Sequence, residues 1–374
     1  MVCGMALDFK LFQPQANGGV KMRTIERLTY TVLAGLILGL FFSPAQAEEE
    51  LDRVQEANLT SQNSDPWVEY QGSEGPGAGK HIVLISGDEE YRSEEALPML
   101  GQILSAHHGF RCTVLFAIDP YTGEINPEVQ TNIPGLHHLQ AADMMILFTR
   151  FRELPDEQMK YIVDYTNAGK PVMGLRTATH AFKYSRNLDS PYAKYDYNNL
   201  VFEGGYGRQV LGETWISHHG HHGQESTRGI VNGRYKTHPI LRGVKDVWGP
   251  SDVYGIDKLV GDNLKVLLNG QVLAGMAPND VPKPHKSTMP LAWIKTYTGE
   301  TGNTGRIFNT TMGSSVDFLS EGLRRLLVNG CYWCLKMEDQ IPEQSQVDYV
   351  SDYQPTMFGF GTFQRNLRPV DFAF

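Results

Sequence analysis

The chain has 374 residues, with 42 acidic and 33 basic side chains, 41% hydrophobic residues and four cysteines. A net charge of −9 argues against recognition of a phosphate backbone, which needs a basic face, and four cysteines are too few for a disulfide scaffold. Charged residues at 20% with 10% aromatics argue against wholesale disorder, so the composition is that of an acidic globular protein acting on small molecules rather than nucleic acid.

Lys21, Arg23 and Arg27 precede an apolar run from Val32 to Phe42, and Ala45-Gln46-Ala47 follows. That is the three-part pattern of a secretory signal, and the run falls short of the about 20 residues that cross a bilayer. Residues 1–47 are therefore expected to be a signal peptide, with translation starting at Met22 and cleavage after Ala47. The mature chain is then exported, periplasmic or extracellular, with no stable membrane span. Residues 48–79 are acidic and then rich in Gly, Ser and Pro, and read as a disordered linker.

From residue 81 short apolar runs alternate with segments of helical period. His81–Ser86 is a continuous apolar run, as in a parallel strand buried on both faces. Residues 94–107 place Ala96, Leu97, Leu100, Ile103 and Leu104 at helical spacing. Strands are expected at 111–118, 144–148 and 171–175, with a helix opened by Leu154-Pro155-Asp156-Glu157 and ended at Gly169. This order predicts an α/β fold with a doubly wound, mostly parallel sheet. Residues 183–208 read as an active-site flap or long insertion, and 209–215, 265–273, 289–297 and 306–311 as strands of an antiparallel extension. A helix is expected from Asp317 to Leu335. The domain then runs from 80 to 337, with 338–374 expected as an irregular, aromatic tail packed on it, the alternative being a partner-binding tail.

In such sheets ligands sit beyond the carboxyl ends of the strands. Asp88, Glu89 and Arg92 follow the first strand, Arg150 the third, and Arg176, Thr177 and His180 the fourth. The densest ionisable cluster is Ser217-His218-His219-Gly220-His221-His222, soon followed by Glu225. Imidazoles titrate near neutrality and ligate metals, so His218, His219 and His222 are candidates for acid–base work and possible ligands of a divalent metal. The helical H-E-x-x-H spacing of many zinc enzymes is absent. Cys331-Tyr332-Trp333-Cys334 has redox spacing but falls near a helix C-terminus, where the dipole does not activate a thiol, and reads as structural. A G-x-S-x-G elbow, a Walker A loop and a G-x-G-x-x-G after a strand are all missing.

Residues 80–336 resemble the ThuA-like (trehalose-utilisation) family. The resemblance rests on Ser86-Gly87-Asp88-Glu89-Glu90-Tyr91-Arg92 and on Gly174 through Phe182, which includes Arg176-Thr177-Ala178-Thr179-His180. It is supported by Glu213-Thr214-Trp215 before the histidines, His238-Pro239-Ile240, Pro290-Leu291-Ala292-Trp293, and Gly305 through Gly313 ahead of the Trp333 helix. The resemblance implies a flavodoxin-like, class I glutamine amidotransferase-like fold and a link to breakdown of sugars, including keto-sugars. Amidotransferases carry a cysteine nucleophile in the turn that here reads Leu175-Arg176-Thr177, which points away from glutaminase chemistry. ThuA-like sequences often have His at the position of Arg176, and Gly-His where this chain has Gly313-Ser314.

The resulting expectation is an exported enzyme of carbohydrate catabolism, a hydrolase, lyase or isomerase working by general acid–base chemistry. Asp88 or Glu89 would be a carboxylate partner, with His180 and one of His218, His219 or His222 moving the proton. Arg92, Arg150, Arg176 and Thr177 would meet substrate oxygens, and Trp215 or Trp248 would offer an aromatic face to the sugar. The alternatives are a non-catalytic sugar-binding or scaffold module and a metal-dependent hydrolase using the histidine cluster.

Overall fold

The computed structural model describes residues 65–72 and 74–374. The expected signal peptide and the first part of the expected linker lie outside the described residues.

The strands in chain order are β1 (Trp67–Tyr70), β2 (His81–Gly87), β3 (Arg111–Leu115), β4 (Met144–Thr149), β5 (Val172–Leu175), β6 (Ser217–His218), β7 (Thr227–Val231), β8 (Trp248–Gly249), β9 (Tyr254–Gly255), β10 (Asp262–Val272), β11 (Met289–Thr298) and β12 (Thr304–Thr310). The α-helices are α1 (Ser93–His108), α2 (Asp156–Asn167) and α3 (Glu321–Cys334). Ten strands form one sheet in the order β1-β3-β2-β4-β5-β12-β11-β10-β7-β8. Strands β3, β2, β4, β5 and β12 run parallel, and β11, β10, β7 and β8 continue the sheet in antiparallel steps.

The apolar runs explain the layering. In β2, Ile82 and Leu84 join the core that holds α1 and α3, whereas Val83 and Ile85 join the opposite core with Met159 and Ile162 of α2. Alternate side chains thus enter two different cores, so the strand must be apolar throughout rather than at every second position. Among the described residues no helix is long and apolar enough to cross a membrane.

Three readings need correction. Residues 67–70, expected within the linker, form β1, which pairs antiparallel with β3 from Trp67 opposite Leu115 to Tyr70 opposite Cys112. Only Val68 and Tyr70 point inward, too few positions to reveal a period of two. Residues 209–215, expected as a strand, instead begin inside a π-helical turn, Gly207–Leu211, closed by Gly212 at φ 110°. Its carbonyls are taken by side chains from β11: Lys295 Nζ donates to Gln209 and Val210, and Trp293 Nε1 donates to Leu211 at 2.7 Å. The helix expected from Asp317 is broken at Ser320, whose hydroxyl accepts from the Leu323 N–H and caps α3. The preceding turn, Ser315–Leu319, is 3₁₀, and Asp317 turns inward to accept from the N–H groups of Gly313, Ser314 and Ser251.

After α3 the chain crosses back over the first strands, its regular structure among the described residues being two 3₁₀ turns, Glu338–Gln340 and Pro369–Phe372. Tyr353 donates to the Ser315 carbonyl, Phe372 stacks on Phe116, and the Phe372 carbonyl accepts from the Tyr70 hydroxyl at 2.9 Å. The first described strand and the last residues therefore hold each other.

Candidate functional site

The parallel strands end on one edge, and the residues that follow them converge on Asp252. Glu90 and Tyr91 come from the turn after β2, and Arg176 from the turn after β5. Asp252 lies in the loop between β8 and β9, and the ribbon of β6 and β9 pairs His218 with Tyr254. The His219 N–H donates to the Val253 carbonyl, which draws the histidine loop around the same segment.

Asp252 is fully buried and meets three cationic or cationisable groups. Arg176 Nη2 donates to its Oδ1 at 3.0 Å, His218 Nδ1 lies 2.7 Å from Oδ2, and His222 Nδ1 lies 3.1 Å from Oδ1. Burial alone would raise the Asp252 carboxyl, but Arg176 and the two imidazoles outweigh it and hold the group well below the usual carboxylate range. Asp252 is thus ionised and can only accept, so His218 Nδ1 must carry its proton. His218 Nε2 makes no hydrogen bond among the described residues, and 35% of the side chain is exposed. This is the Asp–His arrangement in which the carboxylate fixes the tautomer and leaves the outer nitrogen free to take a proton.

His222 differs from its neighbour. Its Nδ1 faces Asp252, its Nε2 lies 3.2 Å from Glu90 Oε1, and the Tyr91 hydroxyl stands 3.3 Å from Nδ1. The bonds to Asp252 and Glu90 raise it to about 9, so it is an imidazolium at neutral pH. One imidazole able to accept a proton and one holding a proton therefore share one carboxylate.

Arg176 is wholly buried, at φ 45° directly after β5. Its guanidinium lies between the rings of Tyr91 at 4.3 Å and Tyr254 at 4.1 Å, and donates to the carbonyls of Thr311 and Asp252. A non-glycine residue in the left-handed region is costly and persists only where its surroundings over-determine it, as they do here. Arg176 is therefore a positioning group for Asp252, which corrects its expected contact with substrate.

Several other expected contacts are also corrected. Asp88 is buried, accepting from the N–H groups of Glu90 and Tyr91 at 2.7 Å and from the Thr177 hydroxyl, so both residues shape the turn and neither offers a free group. Glu89 is held by Arg150 and Arg152. Arg92 is buried and donates to the Glu90 and Gly359 carbonyls and the Thr362 hydroxyl, which uses it to anchor the tail. His219 turns away, its Nε2 on the Ser287 carbonyl at 2.8 Å, and so leaves the possible metal set. Trp248 lines a separate cavity of about 690 Å³ with Lys245, Asp246 and Glu321, none of its walls coming from the histidine cluster.

His180 is buried against Phe151, Trp215 and Tyr254, and burial together with Arg150 and Arg176 pushes it well below its usual value. It is a neutral packing residue beneath the site rather than an exposed proton carrier. Trp215 is half-buried, its ring 5.8 Å from that of His218. Arg150 is held at Nη1 by Glu89, with its guanidinium over the Phe151 ring at 4.4 Å.

The sequence reading missed Asp252 entirely and gave Glu90, Tyr91 and Tyr254 no role. Asp252 stands thirty positions beyond His222, after Gly249-Pro250-Ser251, and no local spacing links the two. Among the described residues the one group able to hold a metal is His218, His222 and Asp252, whose ligand atoms lie within 4.8 Å of one another.

A family model described as ThuA, trehalose utilisation, matches residues 87–334, more than half of the chain. Solved structures with a similar chain include a ThuA-like protein from Parabacteroides merdae, 16% identical, with 75% of this chain and 97% of that chain covered at a TM-score of 0.44. Another is a ThuA-like protein from Bacteroides uniformis, 13% identical, with 71% and 95% covered at a TM-score of 0.42. No curated protein matches.

Proposed function

The chain belongs to the ThuA family, and from that premise we propose that it is an exported carbohydrate-processing enzyme, a hydrolase, lyase or isomerase acting on a disaccharide or keto-sugar by general acid–base chemistry. The observation that carries this reading is the pair of imidazoles on buried Asp252, one with a free Nε2 and one held as a cation. His218 Nε2 takes a proton from water, from a sugar hydroxyl or from a carbon beside a carbonyl. His222, whose two N–H groups are held by Asp252 and Glu90, acts through its positive charge and stabilises the oxygen where negative charge develops. Arg176 and the two imidazoles keep Asp252 ionised, and the rings of Tyr91 and Tyr254 hold the Arg176 guanidinium between them. The place after β5 where an amidotransferase has its cysteine is filled by Arg176, which supports a route without a covalent acyl step. The parallel order β3-β2-β4-β5-β12, with helices on both faces, supports reading that half as doubly wound and flavodoxin-like, akin to class I glutamine amidotransferases, with an antiparallel extension.

The test is product formation from a panel of disaccharides and 3-keto-glycosides by the intact chain and by His218→Ala. A positioned acid or base contributes about 10²–10⁴-fold, so His218→Ala should lose at least a hundredfold with its fold intact. Unchanged turnover would remove His218 from the chemistry, and saturable binding with no product from any sugar would favour a binding module.

The proximity of the His218, His222 and Asp252 ligand atoms favours a second reading, a divalent cation held by two imidazoles and a carboxylate. Glu90 on the far nitrogen of His222 fits the carboxylate that commonly orients a metal-bound imidazole. Arg176 already occupies Asp252 Oδ1, and a cation would compete with that pair, so the metal-free acid–base reading stands first. Elemental analysis of protein purified without a histidine tag separates the two.

A further inference from the structure

The family match ends at Cys334, yet the chain returns to the site beyond it. The segment from Thr356 to Thr362 is fastened at several points to the turn after β2 and the start of α1. The Thr356 N–H donates to Glu95 Oε2 at 2.7 Å, and the Gly359 N–H donates to the Glu90 carbonyl at 2.8 Å. Arg92 Nη2 donates to the Gly359 carbonyl at 2.6 Å, and to the Thr362 hydroxyl. Glu90, whose carboxylate bonds His222, thus also carries the tail on its main chain.

This fastening sets two phenyl rings beside the histidines. Phe358 is buried, its ring 5.1 Å from that of His222 and 5.4 Å from that of Tyr91. Phe360 is 58% exposed, and the Arg150 guanidinium lies over its ring at 5.0 Å and over the Phe151 ring at 4.4 Å. Arg150 Nη2 makes no hydrogen bond among the described residues. A single exposed phenylalanine is ordinary on a protein surface. This one is unusual in its setting: a buried arginine clamps the main chain one residue away, and the ring borders a guanidinium with donors to spare. Ring face and guanidinium edge together match a pyranose, which has an apolar C–H face and a rim of oxygens.

We propose that the tail beyond the family match builds a sugar-binding wall of the site, with Phe360 as platform for the apolar face of a pyranose, Arg150 as donor to its oxygens, and Phe358 holding His222 in place. The proposal rests on the carbohydrate reading above and adds the residues that would select the ring.

Saturation-transfer NMR on the intact chain, with trehalose and methyl α-D-glucopyranoside as probes, tests it without turnover. Transfer to at least one probe is expected. Phe360→Ala should weaken that binding about tenfold, the order of one aromatic stacking contact, and Phe360→Tyr should retain it. Because the ring is exposed, neither variant should alter folding. Equal binding by wild type and Phe360→Ala would overturn the wall while leaving the acid–base reading intact, since that stands on His218. Absence of transfer to both sugars from the intact chain would also overturn the wall, and turnover by His218→Ala would separately test the chemistry.

Discussion

Asp252→Asn is the most informative single change, because the side chain keeps its size while it loses its charge and one of its two accepting oxygens. In the wild type that charge faces Arg176 at 3.0 Å, with both groups fully buried. Removing one member of a buried pair costs about 3–5 kcal/mol, since the other is left uncompensated in a medium that solvates it badly. Arg176 retains the carbonyls of Asp252 and Thr311 and the faces of two tyrosines, which places the loss near the lower bound, at about 3 kcal/mol. The same change leaves Glu90 as the one carboxylate on His222, so the imidazolium should give up its proton at lower pH than the value of about 9 it has now. Urea unfolding at neutral pH followed by tryptophan fluorescence measures the first effect, and the imidazole resonance of His222 measures the second. A stability loss below about 1 kcal/mol would refute the argument that Arg176 and Asp252 depend on one another.

His222 also sets a pH dependence. Its folded value is raised from 6.5 to about 9, so its contribution to stability is complete below about 6.5 and is lost as pH rises through about 9. The full shift would be worth about 3 kcal/mol, and exposure of 34% of the side chain discounts this to about 1–2 kcal/mol. Unfolding free energies across that window should fall in the wild type more than in His222→Gln, and parallel curves would contradict the assignment. Cys112, Cys331 and Cys334 are free and buried, and burial pushes the Cys334 thiol up to about 12. All three should resist a thiol reagent in the native protein and react after unfolding, as mass spectrometry would show; rapid native labelling of Cys334 would revive a redox role. Tyr70→Ala should cost about 3–5 kcal/mol in urea unfolding, because it empties a buried site and unties the Phe372 carbonyl. A loss under about 1 kcal/mol would mean that β1 adds little to the fold.

The parts of the fold that can be read from sequence are those with long, self-contained patterns. β2 and α1 announce themselves, β2 because burial on both faces demands unbroken apolar residues and α1 because Ala96, Leu97, Leu100, Ile103 and Leu104 recur at helical spacing. β1, β6, β8 and β9 are two to four residues long, set by what they pair with rather than by composition. Gln209–Leu211 shows the opposite failure, apolar residues that suggest a strand but are held in a π-turn by Lys295 and Trp293 far along the chain.

The same division runs through the site. The topological rule locates the edge where polar turns gather, and the histidine cluster stands out by density alone. Which members face the site depends on a carboxylate brought from the β8–β9 loop. His218 and His222 meet Asp252, whereas His219, between them in sequence, bonds the Ser287 carbonyl on another side. Arg92 and Arg176 look like substrate contacts in a polar motif, and only tertiary structure reveals that both are buried against main-chain carbonyls.

In the proposed chemistry His218 Nε2 exchanges a proton with a bound sugar. A crystal structure of the chain soaked with a non-hydrolysable keto-glycoside tests it most directly. The expected map shows a sugar oxygen, or a water in contact with the sugar, within about 2.6–3.2 Å of His218 Nε2, with His222 still held by Asp252 and Glu90. A sugar bound in the cavity beside Trp248, with the histidine pair untouched, would contradict it.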